Sequence, residues 1–183
     1  MFKAIKSGPI IIHLIEEDNF NDVLSLFSEN PDAEYMQSEF EKSYRPRYDD
    51  SGRRTKYGFY VIYNDKLAGG TLLGISSWEN LRGYTGADIL TDMRGQAIAS
   101  QCKPLLFYLA FEILRLNRVE TGCRVTNIAS IKSISKTPGF VFEGTLRGYC
   151  RNPDGSFEDE HRWAILKDDW LRLYDISAIE VIS

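Results

Sequence analysis

Apolar and polar residues change period along this chain, and the changes mark out its elements. Residues 9–15 (Pro-Ile-Ile-Ile-His-Leu-Ile) form a short apolar run rich in β-branched side chains, which predicts a first strand. Phe20, Val23, Leu24 and Phe27 then recur at helical spacing behind Asp18 and Asn19, either of which can cap a helix. Asn30, Pro31 and Asp32 break that helix, and a second amphipathic helix is expected from about 32 to 42. Residues 43–56 have no period; five cations, a proline and a glycine mark a loop. Aromatic and β-branched residues at 57–63 predict a strand, Asn64-Asp65-Lys66 a turn, and 67–76 the returning partner of a hairpin. A further strand is expected over 83–90.

The second half changes character. Residues 91–100 read as a loop leading into a helix, and 104–116 are strongly helical, with Leu105, Tyr108, Leu109 and Ile113 on one face. Pro104 removes a backbone donor there and predicts a kink. A buried strand (119–125), a short helix (127–136), a strand (140–147), a turn (151–156) and another strand (160–166) follow. A strand–helix–strand unit in the middle implies parallel pairing, and the flanking hairpins imply antiparallel pairing. The expected fold class is therefore α/β, one domain over 1–183 with a mixed sheet, and the chain shows no internal repeat.

Composition narrows the function classes. The 183 residues are 43% hydrophobic and 13% aromatic, which suits a packed core and not a disordered chain. The formal net charge of −4 argues against a nucleic-acid-coating protein. No apolar run approaches the roughly 20 residues of a membrane helix, so no membrane partner is expected. The opening residues lack the apolar core of a secretory signal. Cys102, Cys123 and Cys150 are odd in number and not at metal-ligand spacing, and only His13 and His161 are present. The expectation is reduced thiols, a cytoplasmic location and no metal.

Three segments carry candidate chemistry. In Asp88-Ile89-Leu90-Thr91-Asp92-Met93-Arg94-Gly95-Gln96-Ala97-Ile98-Ala99 a strand delivers its carboxyl end to a small-residue loop that opens a helix. Unpartnered amides and a positive dipole end there suit a pyrophosphate; an ordinary tight strand-to-helix turn has the same local pattern. The others are 117–130, with Asn117-Arg118-Val119 and Asn127-Ile128-Ala129-Ser130, and 136–147, with Gly139-Phe140-Val141-Phe142-Glu143-Gly144-Thr145-Leu146-Arg147. Asp159 and Trp170 follow. Taken in order from about residue 69 to 170, these resemble the GNAT acetyltransferase superfamily, and within it the RimJ/RimL-like branch. Three features depart from the family pattern. Ala97 stands where glycine is usual, although alanine disfavours positive φ, Pro104 lies inside the helix after the loop, and the stretch before Gly139 is one residue longer.

The resemblance implies a GNAT-like, mostly antiparallel twisted sheet with helices on both faces and a central splay between parallel strands. It implies acetyl-CoA as donor and co-substrate, with pantetheine along Ile89 and Leu90. The pyrophosphate would lie on the amides of Gly95, Gln96, Ala97, Ile98 and Ala99, with Arg94 adding charge and Asn127 serving as cap and ligand. The acetyl group passes directly to an amine acceptor, a protein N-terminus or a small molecule. Ser130 matches the family position proposed to protonate the departing thiolate; a helix-side serine bonding its own backbone is the alternative. Asp88 and Glu79 are candidates for the base, as is a water chain. Glu143 and Arg147 read as structural partners and Cys123 as packing. Arg45, Arg47, Arg53, Arg54 and Lys56 either attract an acidic acceptor or form a solvated loop. A monomer or homodimer is expected. A non-catalytic acetyl-CoA-binding or regulatory module on the same fold is the competing function.

Overall fold

The computed structural model describes residues 2–183 and opens with a hairpin that the hydrophobic pattern only half predicts. β1 (Ala4–Ser7) pairs antiparallel with β2 (Ile10–Leu14) through a turn at Gly8, where φ is +55°. α1 (Phe20–Leu26) buries Phe20 and Val23 on the sheet. Asn19 at its start does not cap it with the side chain. Its Oδ1 instead accepts from the Glu16 N–H (2.9 Å), and its Nδ2 donates to the Leu14 carbonyl (3.2 Å). α2 (Ala33–Glu39) runs into a widened helical turn, Phe40–Tyr44, that buries both of its aromatic ends.

The expected loop over 43–56 is more structured than its composition suggests. β3 (Arg47–Tyr48) pairs with the start of β4 (Arg54–Tyr63). Arg54 is only 8% exposed; its Nη1 donates to both Glu16 carboxylate oxygens at 2.7 Å, and the rest of the guanidinium to the carbonyls of Ile15 and Lys56. Arg45 pairs with Glu17 and Glu41, and Arg53 lies over the Trp78 ring. Arg54 and Lys56 are buried, so this is not a freely solvated basic patch.

β5 (Lys66–Ser77) returns from β4 through Asn64 and Asp65, both at positive φ as a tight hairpin needs. β6 (Arg82–Ile89) completes a long antiparallel meander. α3 (Ile98–Tyr108) starts earlier than its most apolar stretch and runs uninterrupted through Pro104, before a widened turn, Leu109–Ile113. β7 (Arg118–Arg124), α4 (Ile128–Ser135), β8 (Val141–Arg151), β9 (Phe157–Leu166), α5 (Lys167–Leu173) and β10 (Glu180–Ile182) follow.

The sheet order is β10-β1-β2-β4-β5-β6-β7-β9-β8, with β3 beside β4. Every pairing is antiparallel except β6 with β7, which meet parallel through the crossover of α3. On one face Leu105, Leu106, Phe107 and Phe111 are fully buried, and Phe107 meets Phe140, Trp170 and Tyr174 edge-on. The opposite face carries Phe40 and Tyr44, and close approach there demands glycine. A Cβ at Gly58 would come 2.0 Å from the Tyr44 carbonyl oxygen, and one at Gly70 within 2.8 Å of the Phe40 ring. The result is a mixed α/β fold, mostly antiparallel, with helices on both faces.

Candidate active site

β6 and β7 share only three parallel rungs, Arg82↔Arg118, Gly83↔Val119 and Tyr84↔Glu120. Beyond them β6 follows β5 as far as Ile89, and β7 follows β9 as far as Arg124. The two strands therefore part, and the edge of β6 from Gly86 onward faces a cleft with no strand partner. The cleft opens at the carboxyl ends of parallel strands, the usual place for a ligand in such sheets. At its apex the Thr121 hydroxyl donates to the Thr85 carbonyl at 3.2 Å.

From the mouth of the cleft the chain enters the predicted loop. Leu90 is buried, and its N–H donates to the Ala68 carbonyl at 3.0 Å. A single 3-10 turn, Thr91–Met93, leads to Arg94, Gly95, Gln96 and Ala97, all exposed. Gly95 has φ +82° with nothing within 4 Å of a Cβ there, so the loop is open on that side. Ala97 also sits in the left-handed region, at φ 57° and ψ 21°, immediately before α3. The alanine thus takes the backbone conformation a glycine would take there, and the loop keeps its turn. The first amides of α3, from Ile98 and Ala99 onward, have no acceptor one turn earlier in the helix. Arg94 is less free than its charge suggests, because Nε donates to the Ile89 carbonyl at 3.1 Å. The Gln96 side chain donates to the Met93 carbonyl (3.4 Å), and the Gln96 carbonyl accepts from the Gln101 side-chain amide at 3.0 Å.

Asp88 and Ser130 fall on opposite sides of the sheet. Strand alternation puts Thr85 and Ala87 toward α3 and Gly86 and Asp88 toward α2. The Asp88 carboxylate accepts from the Tyr44 hydroxyl at 2.7 Å and the Tyr35 hydroxyl at 3.0 Å. Burial first and the nearby Asp88 charge second hold Tyr35 up at about 12 and push Tyr44 well above the ordinary tyrosine value, so both remain donors. Asp32, which precedes α2, accepts from the Thr91 N–H (2.6 Å) and hydroxyl (3.0 Å). Those two bonds hold its carboxyl below the usual range. Glu79 lies in the turn joining β5 to β6, at the far end of β6 from the cleft mouth, and does not join this cluster.

On the α3 side, Asn127 caps α4 by accepting from the Ser130 N–H at 3.1 Å, so the predicted cap forms. Ser130 stands half-buried in the first turn of that helix. α4 is fastened to α3 by Ser100 and Ser133, whose hydroxyls are 2.8 Å apart. Burial pushes the Cys102 thiol up to about 12 and the Cys123 thiol up to about 11, so neither offers a ready thiolate. Glu143 pairs with Arg118, which also holds Glu120 at 2.8 Å; Arg147 makes no ion pair among the described residues. No cluster of three or more His, Cys, Asp or Glu side chains suited to a metal occurs among the described residues, nor does any helix there have the length and apolarity to cross a membrane.

Tyr35, Tyr44 and Asp32 escape sequence reasoning because their partners lie more than 40 residues away. Lys103 carried a signal. It is a charged residue one turn before the buried Leu106 and Phe107 and next to the buried Cys102, on the inward side of α3.

No family model matches the chain. It is 25% identical, over 90% of its own length and 98% of the relative's, to "Probable N-acetyltransferase YjcK" of Bacillus subtilis (strain 168). Solved structures agree on the architecture. A crystal structure provisionally named an acetyltransferase covers 97% of each chain with a TM-score of 0.72 at 21% identity. A dodecameric spermidine N-acetyltransferase from Vibrio cholerae covers 91% of this chain and 99% of its own, with a TM-score of 0.67 at 17% identity. A SpeG chimera from Vibrio cholerae and hSSAT covers 90% and 99%, at 0.68 and 17%. The sequence relative and these neighbours together support an acyltransferase enzyme, and the fold of the chain is that of the GNAT-type N-acetyltransferases.

Proposed function

We propose that this protein is an acetyl-CoA-dependent N-acetyltransferase that passes the acetyl group directly to a primary amine, on a protein amino terminus or a small molecule. The observation that carries the reading is the parting of β6 and β7 beyond Tyr84↔Glu120, with a helix-opening loop at its mouth and a hydrogen-bonded carboxylate on the other face. The residues present fit the donor. An open loop at Gly95, amides at the start of α3 and an unpaired strand edge along 86–89 suit a pyrophosphate and an amide-bearing chain. In this reading Gly95 to Ala99 hold the pyrophosphate through backbone groups, Ile89 and Leu90 line the pantetheine, Arg94 adds long-range charge, and Asn127 orders the start of α4.

Direct transfer asks three things of the protein: a neutral amine, a polarised thioester and help for the leaving thiolate. Asp88 orients the amine and takes its proton, directly or through water, while Tyr35 and Tyr44 fix the carboxylate. Ser130 delivers a proton to sulfur. The cysteines take no covalent part. The motifs from Arg94 to Trp170 support a RimJ/RimL-like reading, and the three free cysteines suit a reducing cytoplasm. The test is CoA release from acetyl-CoA with peptides, polyamines and aminoglycosides as acceptors, for the wild type and Asp88→Asn. Turnover with one amine class, lost in the variant while CoA affinity persists, supports the reading. CoA binding with no turnover on any amine would make the protein a non-catalytic acetyl-CoA module.

A further inference from the structure

Lys103 is the feature of the cleft that the scheme above leaves unused. It sits on α3 and is 4% exposed. Its Nζ donates to the Thr85 hydroxyl at 3.1 Å. Thr85 and Thr121 are the first residues beyond the last parallel rung, and the Thr121 hydroxyl bonds the Thr85 carbonyl. The amine therefore lies at the apex of the cleft, on the α3 side.

An ammonium has three N–H donors, and here one is used within the chain. No carboxylate lies within 4.0 Å of it among the described residues. Burying an unpaired charge is costly, and an apolar side chain of similar size would fill the same space without that cost. Burial pulls this amine down to about 8, so it is still mostly an ammonium at neutral pH. The charged and titratable groups around it offer no compensation. Cys102, beside it on α3, and Cys123, on β7, are neutral thiols. Asp88, Glu120 and the His13–Tyr60 stack leave the sheet on the opposite face. Lys132 on α4 is exposed to solvent.

We propose that Lys103 is the charge partner of the CoA sulfur: its ammonium, aimed into the apex of the cleft, stabilises the thiolate formed when the thioester breaks. The inference rests on the reading that acetyl-CoA occupies this cleft. The acceptor nitrogen forms its bond to the carbonyl carbon, the carbon–sulfur bond breaks, and its electron pair goes to sulfur. The acceptor's proton leaves to Asp88 or water. The thiolate forms an ion pair with Lys103 and is then protonated from Ser130 or solvent. A cation already in place when that charge develops costs no reorganisation at that moment.

The experiment uses the full chain with free CoA, so it needs no acceptor. Calorimetry first measures CoA binding. The ultraviolet absorbance of the thiolate is then followed against pH for bound CoA, with ligand-free protein subtracted. Free CoA titrated under the same conditions is the reference; bound to the wild type, its thiol should titrate at least one unit lower, an approximately tenfold larger thiolate-to-thiol ratio at neutral pH. Lys103→Met should abolish that shift, and Lys103→Arg should retain most of it. If CoA binds and the wild-type thiol titrates at or above its free value, the inference fails whether or not any variant folds. It fails equally if the wild type and Lys103→Met titrate alike, or if mass spectrometry after acetyl-CoA treatment finds Lys103 itself acetylated. If the wild type does not bind CoA, the donor reading falls and this inference with it, and calorimetry alone distinguishes that case.

Discussion

Replacing Ala97 with glycine should make the protein more stable. Ala97 holds φ 57° and ψ 21° at the start of α3. An L-residue with a Cβ pays about 1–2 kcal/mol for the left-handed region. Glycine removes that cost but gives back about 0.4–1 kcal/mol through the greater freedom of the unfolded chain. The net gain is on the order of 0.5–1 kcal/mol, or about 2 °C in melting temperature for a chain of this size class. Urea melts should show a higher midpoint at an unchanged slope. Ala99→Gly is the matched control: Ala99 lies within α3, where glycine should destabilise by roughly 0.5–1 kcal/mol. An Ala97→Gly protein less stable than the wild type would mean that the loop does not hold residue 97 left-handed and does not present its amides in this turn.

At the same position Ala97→Glu should leave a folded protein, since a carboxylate favours a helix start, but should weaken CoA binding by at least about tenfold in calorimetry. Undiminished affinity would move the donor site elsewhere. Asp88→Asn should lower kcat by roughly 10²–10⁴-fold with CoA affinity kept, and Tyr44→Phe should reproduce part of the loss; equal turnover in all three proteins would remove Asp88 from the chemistry. Ser130→Ala should cost the low end of that range in kcat and little in CoA affinity, and an intact rate would leave leaving-group protonation to water. Lys103 also predicts a pH dependence of stability. Its folded value is about 8 against an ordinary 10.5, so between those values the unfolded chain binds more protons and stability should rise with pH. Below pH 8 this contribution is constant. Chemical melts should show the wild type gaining stability relative to Lys103→Met across this window, since the opposing effect of the raised thiols and tyrosines is common to both proteins and cancels in the difference; parallel curves would contradict a buried, unpaired amine.

The period of the sequence revealed the middle of the fold because apolar burial decides it there. The β4–β5 hairpin, β6, β7 and α4 all lie close to where alternation and helical spacing put them. β1 and β10 escaped because they are short: Ala4-Ile5-Lys6-Ser7 and Glu180-Val181-Ile182 contain too few residues to establish a period. β3 escaped because its two residues are exposed, and the partner that orders them lies on another strand. In the candidate site, the turn from β6 into α3 was legible from local chemistry, since small residues and a following helix are contiguous. Ser130 and Asn127 were placed by family resemblance, and the Asn127 cap has a local cause. The tyrosines on Asp88 were invisible because nothing within a few residues of Tyr35 or Tyr44 requires a carboxylate. Arg54 looked like one of five loop cations; only the fold shows Glu16 closing on it.

The two bonds from Thr91 to Asp32 give the molecule a mechanical link. Asp32 leads into the helix that carries Tyr35, and Thr91 leads into the loop that opens α3. On the proposed function, one carboxylate thus joins the acceptor side to the donor side, and a shift of the loop on loading one substrate would strain or relieve the helix that meets the other. Such coupling is reciprocal: whatever donor binding does to acceptor affinity, acceptor binding must do to donor affinity by the same factor. On the proposed function, Asp32→Ala is therefore expected to change the mutual affinity of donor and acceptor while leaving each able to bind on its own, which calorimetry of each in the presence of the other would measure.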